Sequence, residues 1–313
     1  MECPICSFRT FDVLASRERI DEELRLRKEF FAARIEGLAD AAEMKDRTDV
    51  VHATPAAIHR CRECGLLIRD DDGRGFANES YAPYVMERML RSHIDAFRLK
   101  ERVYRPLLTS GARVLEVGSY VGGFLHVATE WNWDAIGVDV GDDTSQFAAA
   151  HGYRTRHAAL HDCAFDHASF DGVFIWNCFE QLERPHDVVA EIRRITRDGG
   201  IVVIRTPSAS FYSSGGRAPW PVRPGEAPIL HWLGHANLLA FPHRYGYTTS
   251  TLDRLMTQHR FEVVDHRGDM HIAPTHSRLT ATAKREEDEM RTALVARNDA
   301  NDWPWMDCTY RAM

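Results

Sequence analysis

A chain of 313 residues with 44% hydrophobic and 27% charged side chains has room for one full α/β domain and a smaller module. Its 39 Lys and Arg against 46 Asp and Glu leave a net charge of -7, with no dense basic block, which argues against a nucleic-acid partner. No apolar stretch reaches the roughly 18 residues of a bilayer span, and the opening MECPICSFRTF lacks the basic-then-apolar order of a secretory leader; a cytoplasmic protein is expected.

The chain begins with Cys3-Pro-Ile-Cys6, and a second pair follows at Cys61-Arg-Glu-Cys64. Two such turns offer four thiolates, the set that a tetrahedral structural zinc prefers, with no corner left for an activated water. Cys163, Cys178 and Cys308 make the total seven, an odd count that argues against a disulfide framework. Between the pairs, Ile20, Leu24, Phe31, Ile35 and Leu38 fall on one helical stripe. That insert reads as a helix lying on the domain or on a partner subunit, or as a lid over a substrate. Asp70 to Gly75 marks a turn and boundary, and a helical connector follows from about Glu79 to Leu108.

From Gly111 apolar strands alternate with helices: RVLEV (113–117), AIGVDV (135–140), GVFIW (172–176) and IVVIR (201–205). Pro185 suits the first turn of the helix before the last of these, and Gly199-Gly200 suits its end. The pattern predicts an α/β, Rossmann-like, doubly wound, mostly parallel sheet. Four regions are expected: a zinc-binding module with its helical insert (1–75), a helical connector (76–110), the main domain (111–284) and a C-terminal tail (285–313). In that tail Asp302-Trp-Pro-Trp305 looks suited to docking on a neighbouring surface or subunit, and a homodimer stays open. Asp253 and Glu262 read as ordinary helix and strand surface.

Val114 to Leu125, VLEVGSYVGGFL, predicts a strand, a tight glycine loop and a helix. Glycines there would let a ligand approach the backbone closely. Asp139 ends the next strand, where a carboxylate can accept hydrogen bonds from both hydroxyls of a ribose. Tyr120 stands where a dinucleotide fingerprint needs its second glycine, and would obstruct a diphosphate. Glu116 adds a carboxylate suited to a cationic ligand. A sulfonium nucleoside is therefore favoured over NAD.

Val114 to Gly123 resembles the first motif of class I S-adenosylmethionine-dependent methyltransferases, and AIGVDV resembles the second. Ser169 to Ser208 is similar to their fourth strand, following helix and fifth strand. His243 to His266 is similar to the last helix and sixth strand of the small-molecule branch. The resemblance implies a seven-stranded sheet. It also implies that Gly118, Gly122 and the intervening Tyr120 line the methionine moiety, that Asp139, with Val140 beside it, holds the ribose, that Leu160 to Cys163, including His161, flanks the adenine, and that Asn177 edges the pocket. Two positions depart from the pattern: Tyr120 interrupts the glycine turn, and the family's frequent Glu-His pair is here Glu180-Gln181. The N-terminal cysteine region is similar to that of certain sugar C-methyltransferases and natural-product tailoring enzymes.

The segment from Pro207 to Tyr247 is long, irregular and rich in glycine and proline, as acceptor-binding loops are. It holds Tyr212, Trp220, His231, Trp232, His235, His243 and Tyr245. A histidine can act as general base near neutral pH. His243 is the first candidate because His243-Arg-Tyr resembles the family's histidine before its last helix; His231, His235 and Tyr245 follow. Methyl transfer to oxygen, nitrogen or carbon of a small metabolite, a sugar or natural-product intermediate, is the leading expectation. An RNA methyltransferase gripping its substrate through the zinc module, and a noncatalytic binding protein, are the alternatives.

Overall fold

The computed structural model describes residues 1–18, 56–70, 81–213, 243–269, 280–295 and 299–313. The expected helical insert between the cysteine pairs, and Trp220, His231, Trp232 and His235, lie outside these residues.

A seven-stranded sheet forms the centre. Its strands are β4 (Arg113–Val117), β5 (Asp134–Asp139), β6 (Thr155–His157), β7 (Phe170–Trp176), β8 (Thr196–Pro207), β10 (Phe261–Asp269) and β11 (Trp305–Ala312). They lie in the order β10-β11-β8-β7-β4-β5-β6. All adjacent pairs from β8 to β6 are parallel, whereas β11 runs antiparallel to both β8 and β10. Val114, Leu115, Val173, Phe174, Ile175, Val202 and Val203 are wholly buried, as expected of strands covered on both faces. On these faces lie α1 (Pro83–Leu99), α2 (Gly123–Glu130), α3 (Asp142–Ala150), α4 (Pro185–Ile195) and α5 (Thr249–Gln258).

A second, four-stranded sheet has the order β1-β2-β3-β9, with β1 (Phe11–Ala15), β2 (Ile58–Cys61), β3 (Leu67–Arg69) and β9 (Tyr245–Gly246). Its outermost strand thus comes from the segment expected to belong wholly to the main domain. Cys3, Ile5, Cys61, Leu66 and Ile68 pack into the same apolar cluster as Leu115, Val173 and Ile204. The cysteine region and the large sheet therefore share one core.

Three local expectations change. The Trp305 segment does not form a separate tail: β11 is inserted between β10 and β8, one strand in from the sheet edge, with Trp305 buried. Gly199-Gly200 does not cap α4. That helix ends at Ile195, where the Thr196 hydroxyl donates to the Ile192 carbonyl at 2.6 Å, and the two glycines fall inside β8 at a shift in its register with β7. Asp253 is more than surface, since one of its oxygens accepts from the Tyr310 hydroxyl (2.8 Å) and lies 2.9 Å from His266 Nε2, joining α5 to β11 and β10. Among the described residues no helix is long and apolar enough to cross a membrane.

Candidate active site

The loop between β4 and α2 lies at the carboxyl ends of the parallel strands, where doubly wound sheets bind their ligands. Gly118 and Gly122 have φ of 76° and 85°, in the left-handed region that favours glycine. Protein packing reinforces the need. A Cβ on Gly118 would sit 2.7 Å from Cys178, and one on Gly122 would overlap the Tyr153 ring. The close approach expected of a ligand is thus made, at these two positions, by the protein's own side chains. Tyr120 adopts φ of 49° and its ring packs edge-on to Tyr81 and beside His93 on α1, while its hydroxyl lies 3.1 Å from Met89 Sδ. The bulky residue in the glycine turn therefore anchors the loop to α1.

Asp139 stitches this loop to the next helix. One carboxylate oxygen accepts the Tyr120 N–H at 2.8 Å; the other accepts the Gly141 N–H at 2.8 Å and the Thr144 hydroxyl at 3.2 Å. A carboxylate offers about four acceptor sites, so one remains for a ligand hydroxyl. Val140, 58% exposed, follows on the open side. Leu160 is buried at the start of the short helical turn Leu160–Cys163, and His161 in the same turn is exposed.

Glu116 is buried within β4, and its Oε2 has no hydrogen-bond partner among the described residues. Burial, aided by the nearby Asp139 charge, pushes its carboxyl well above the usual carboxylate range. A buried acid without a partner is costly unless a cation or donor joins it. The ammonium and sulfonium of S-adenosylmethionine supply that kind of charge, so the residues present fit this cofactor.

Asn177, at φ of 55°, directly follows β7. Its side-chain oxygen accepts from Arg205 Nη1 at 2.7 Å. Arg205 is fully buried and also lies 3.3 Å from both Asp307 Oδ1 and Asp269 Oδ2. Lys100 Nζ joins the same two acids at 2.8 and 2.6 Å, and the Tyr104 hydroxyl donates to Asp307. Among the described residues, two cations and two acids thus meet beside Asn177. His93 is pushed down to about 4 by burial and by the Arg205 charge, so its ring is neutral at physiological pH. The sequence pointed to none of this network; an arginine closing the apolar IVVIR strand was the one available signal.

Past β7, Glu180 is wholly buried and faces His243, with its Oε1 3.6 Å from Nε2. Burial raises the Glu180 carboxyl to about 8, tempered by the Arg205 charge. The Arg244 N–H donates to the Glu180 carbonyl at 2.9 Å, holding the two segments together. Tyr245 is differently engaged: its hydroxyl donates to the Glu183 carbonyl at 3.0 Å on the outer side. Of the aromatic and histidine candidates in this segment, His243 is the one brought against a buried acid, among the described residues.

The four cysteines converge as expected. Cys3 and Cys64 sulfurs lie 3.5 Å apart, Cys6 and Cys61 sulfurs 3.6 Å apart, and all four fall within 4.8 Å of one another. These separations exceed a disulfide bond and match the roughly 3.8 Å edge of a zinc–thiolate tetrahedron.

Residues 87–266, more than half the chain, match the family model described as a methyltransferase domain. No curated protein matches. Among solved structures the chain is similar to an S-adenosylmethionine-dependent methyltransferase from Archaeoglobus fulgidus, at 14% identity and a TM-score of 0.50, covering 73% of this chain and 98% of that one. It is also similar to one from Mesorhizobium loti, at 18% identity and a TM-score of 0.49, covering 68% of this chain and 97% of that one. The chain belongs to the methyltransferase-domain family and is a class I S-adenosylmethionine-dependent methyltransferase.

Proposed function

We propose that this enzyme methylates oxygen, nitrogen or carbon of a small metabolite, a sugar or natural-product intermediate, in the cytoplasm, and that Cys3, Cys6, Cys61 and Cys64 hold a structural zinc. The observation that carries the acceptor side of this reading is the buried Glu180–His243 pair beyond the ends of the parallel strands. A buried base suits an acceptor small enough to enter the protein, and the acidic balance of the chain suits such an acceptor better than RNA.

When bound, S-adenosylmethionine supplies an electrophilic methyl carbon. The chain's own residues do the rest. Glu116 offers its buried carboxyl to the cationic methionine end, the Gly118–Gly122 loop supports that end, and Asp139 offers its remaining acceptor site to the ribose. Val140 stands beside Asp139 at the ribose, Leu160 and His161 flank the adenine, and Asn177 edges the pocket while its side-chain oxygen stays on Arg205. His243, with Glu180 behind it, takes the acceptor's proton as the new bond to carbon forms. S-adenosylmethionine would donate the methyl group and leave as the neutral thioether, and the acceptor's proton would rest on His243.

Calorimetry with S-adenosylhomocysteine tests the cofactor half: Asp139→Ala should weaken binding at least about tenfold, near 1.4 kcal/mol, and unchanged affinity would refute the assignment. Incubation of cell extract with methyl-labelled S-adenosylmethionine tests the acceptor half. Label should enter the low-molecular-weight fraction; label confined to RNA would overturn it.

A further inference from the structure

We propose that the four-cysteine centre positions His243: closing the cysteine turns fixes the strand that carries this histidine against Glu180. The use of the pair rests on the methyl-transfer reading above; the coupling itself does not.

The route is short and made of named bonds. In the second cysteine turn, Gly65 N–H donates to the Cys61 carbonyl at 3.0 Å and Cys61 N–H to the Leu66 carbonyl at 2.9 Å. The chain then enters β3, where Leu67 and Ile68 pair antiparallel with Gly246 and Tyr245. Arg69 N–H donates to the Arg244 carbonyl at 2.9 Å, and Arg244 N–H donates in turn to the Glu180 carbonyl at 2.9 Å. Three steps therefore lead from a metal-ligating turn to the acid that faces His243. A second tie runs through α5. The Thr251 hydroxyl donates to the Cys64 carbonyl at 2.6 Å, while Thr251 N–H donates to Oγ1 of Thr248, the cap residue two positions after β9.

The geometry makes this dependence strong. β9 has two residues and β3 three, and strand pairs so short are marginal without further support. On its other side the same segment reaches the large sheet, where Tyr247 bridges Ser208 and its carbonyl accepts from Ala209 N–H at 2.8 Å. His243 precedes this splice between the two sheets. Loss of the cysteine closure would free the β3 side and leave the histidine attached through the β8 side.

The test compares metal-loaded protein with protein stripped by a chelator, using backbone hydrogen exchange, the ring signals of His243 in 15N-histidine-labelled protein, and calorimetry with S-adenosylhomocysteine. Stripping should speed exchange at residues 66–69 and 243–247 by at least about tenfold and shift the His243 ring signals, while cofactor-product affinity stays within about threefold. Thr251→Val, which leaves all four ligands in place, should retain zinc and show the same exchange pattern at 243–247, reduced in size. Unchanged exchange and ring signals on stripping would overturn the proposal. So would purified protein without metal at these thiols, or loss of S-adenosylhomocysteine binding together with the exchange change, since the metal would then support the whole fold. Failure of the loaded protein to bind S-adenosylhomocysteine would instead strike the methyl-transfer reading and leave the exchange comparison standing.

Discussion

The two sheets of this molecule are stabilised in different ways. In the seven-stranded sheet, strands of up to twelve residues bury continuous apolar runs on both faces, and hydrophobic burial alone can hold them. In the four-stranded sheet the strands have five, four, three and two residues, and four cysteines stand at one end. Where apolar area is small, a metal can take its place. The comparison also shows that the smaller sheet is no appendage, because its apolar residues enter the large core and its last strand is contributed by the catalytic half.

The sharpest way to break this contrast is to destroy the proposed zinc site. Cys61→Ser should destabilise the small sheet by several kcal/mol, on the order of the energy a structural zinc contributes, and leave zinc below about half an equivalent by metal analysis. Melting like the parent's would show that packing alone holds the small sheet. Next in size is Arg205→Met in the large sheet, which takes one of the two cations facing Asp269 and Asp307 among the described residues. Breaking a buried charge set costs about 3–5 kcal/mol, to be read by urea denaturation.

A third experiment reads the junction between the sheets. In the folded protein, burial raises the Glu180 carboxyl to about 8 from its ordinary 4.5. Its contribution to stability is therefore full below the lower value and is lost as pH rises through the higher one. The parent should lose stability between about pH 5 and 8, by at most about 1.4 kcal/mol per pH unit from this group, and Glu180→Gln should flatten that slope. Equal slopes would place the buried proton elsewhere. The smallest effect is expected at the surface: Arg98→Ala removes an exposed pair with Glu130 and should change stability by less than about 0.5 kcal/mol.

Much of the large sheet was legible because its strands carry local signals. RVLEV, AIGVDV, GVFIW and IVVIR all lie in it, and the loop with positive φ at Gly118 and Gly122 sits where the glycines indicated. The cysteine cluster was legible for a similar reason, since each turn declares two ligands within four residues. What escaped depends on pairing between distant segments. Nothing in Trp305–Ala312 tells that it inserts between β8 and β10, and nothing in Tyr245–Gly246 tells that it pairs with β3. In the Glu180-Gln181 pair the departure from the family pattern falls on Gln181, whereas the significance of Glu180 comes from His243, far along the chain, arriving 3.6 Å away. Arg205 was hidden because one charged residue ending an apolar strand leaves no periodic trace.

The position of β11 also bears on how the molecule is made. β10 has β11 as its sheet neighbour, so during synthesis Phe261–Asp269 carries bare backbone donors and acceptors until residues 305–312 leave the ribosome. β8 keeps an open edge over the same interval. Two long edges held apart for one late strand are a template for pairing between nascent chains. Brief shielding of these edges by a chaperone until the last strand emerges should therefore raise the yield of native protein.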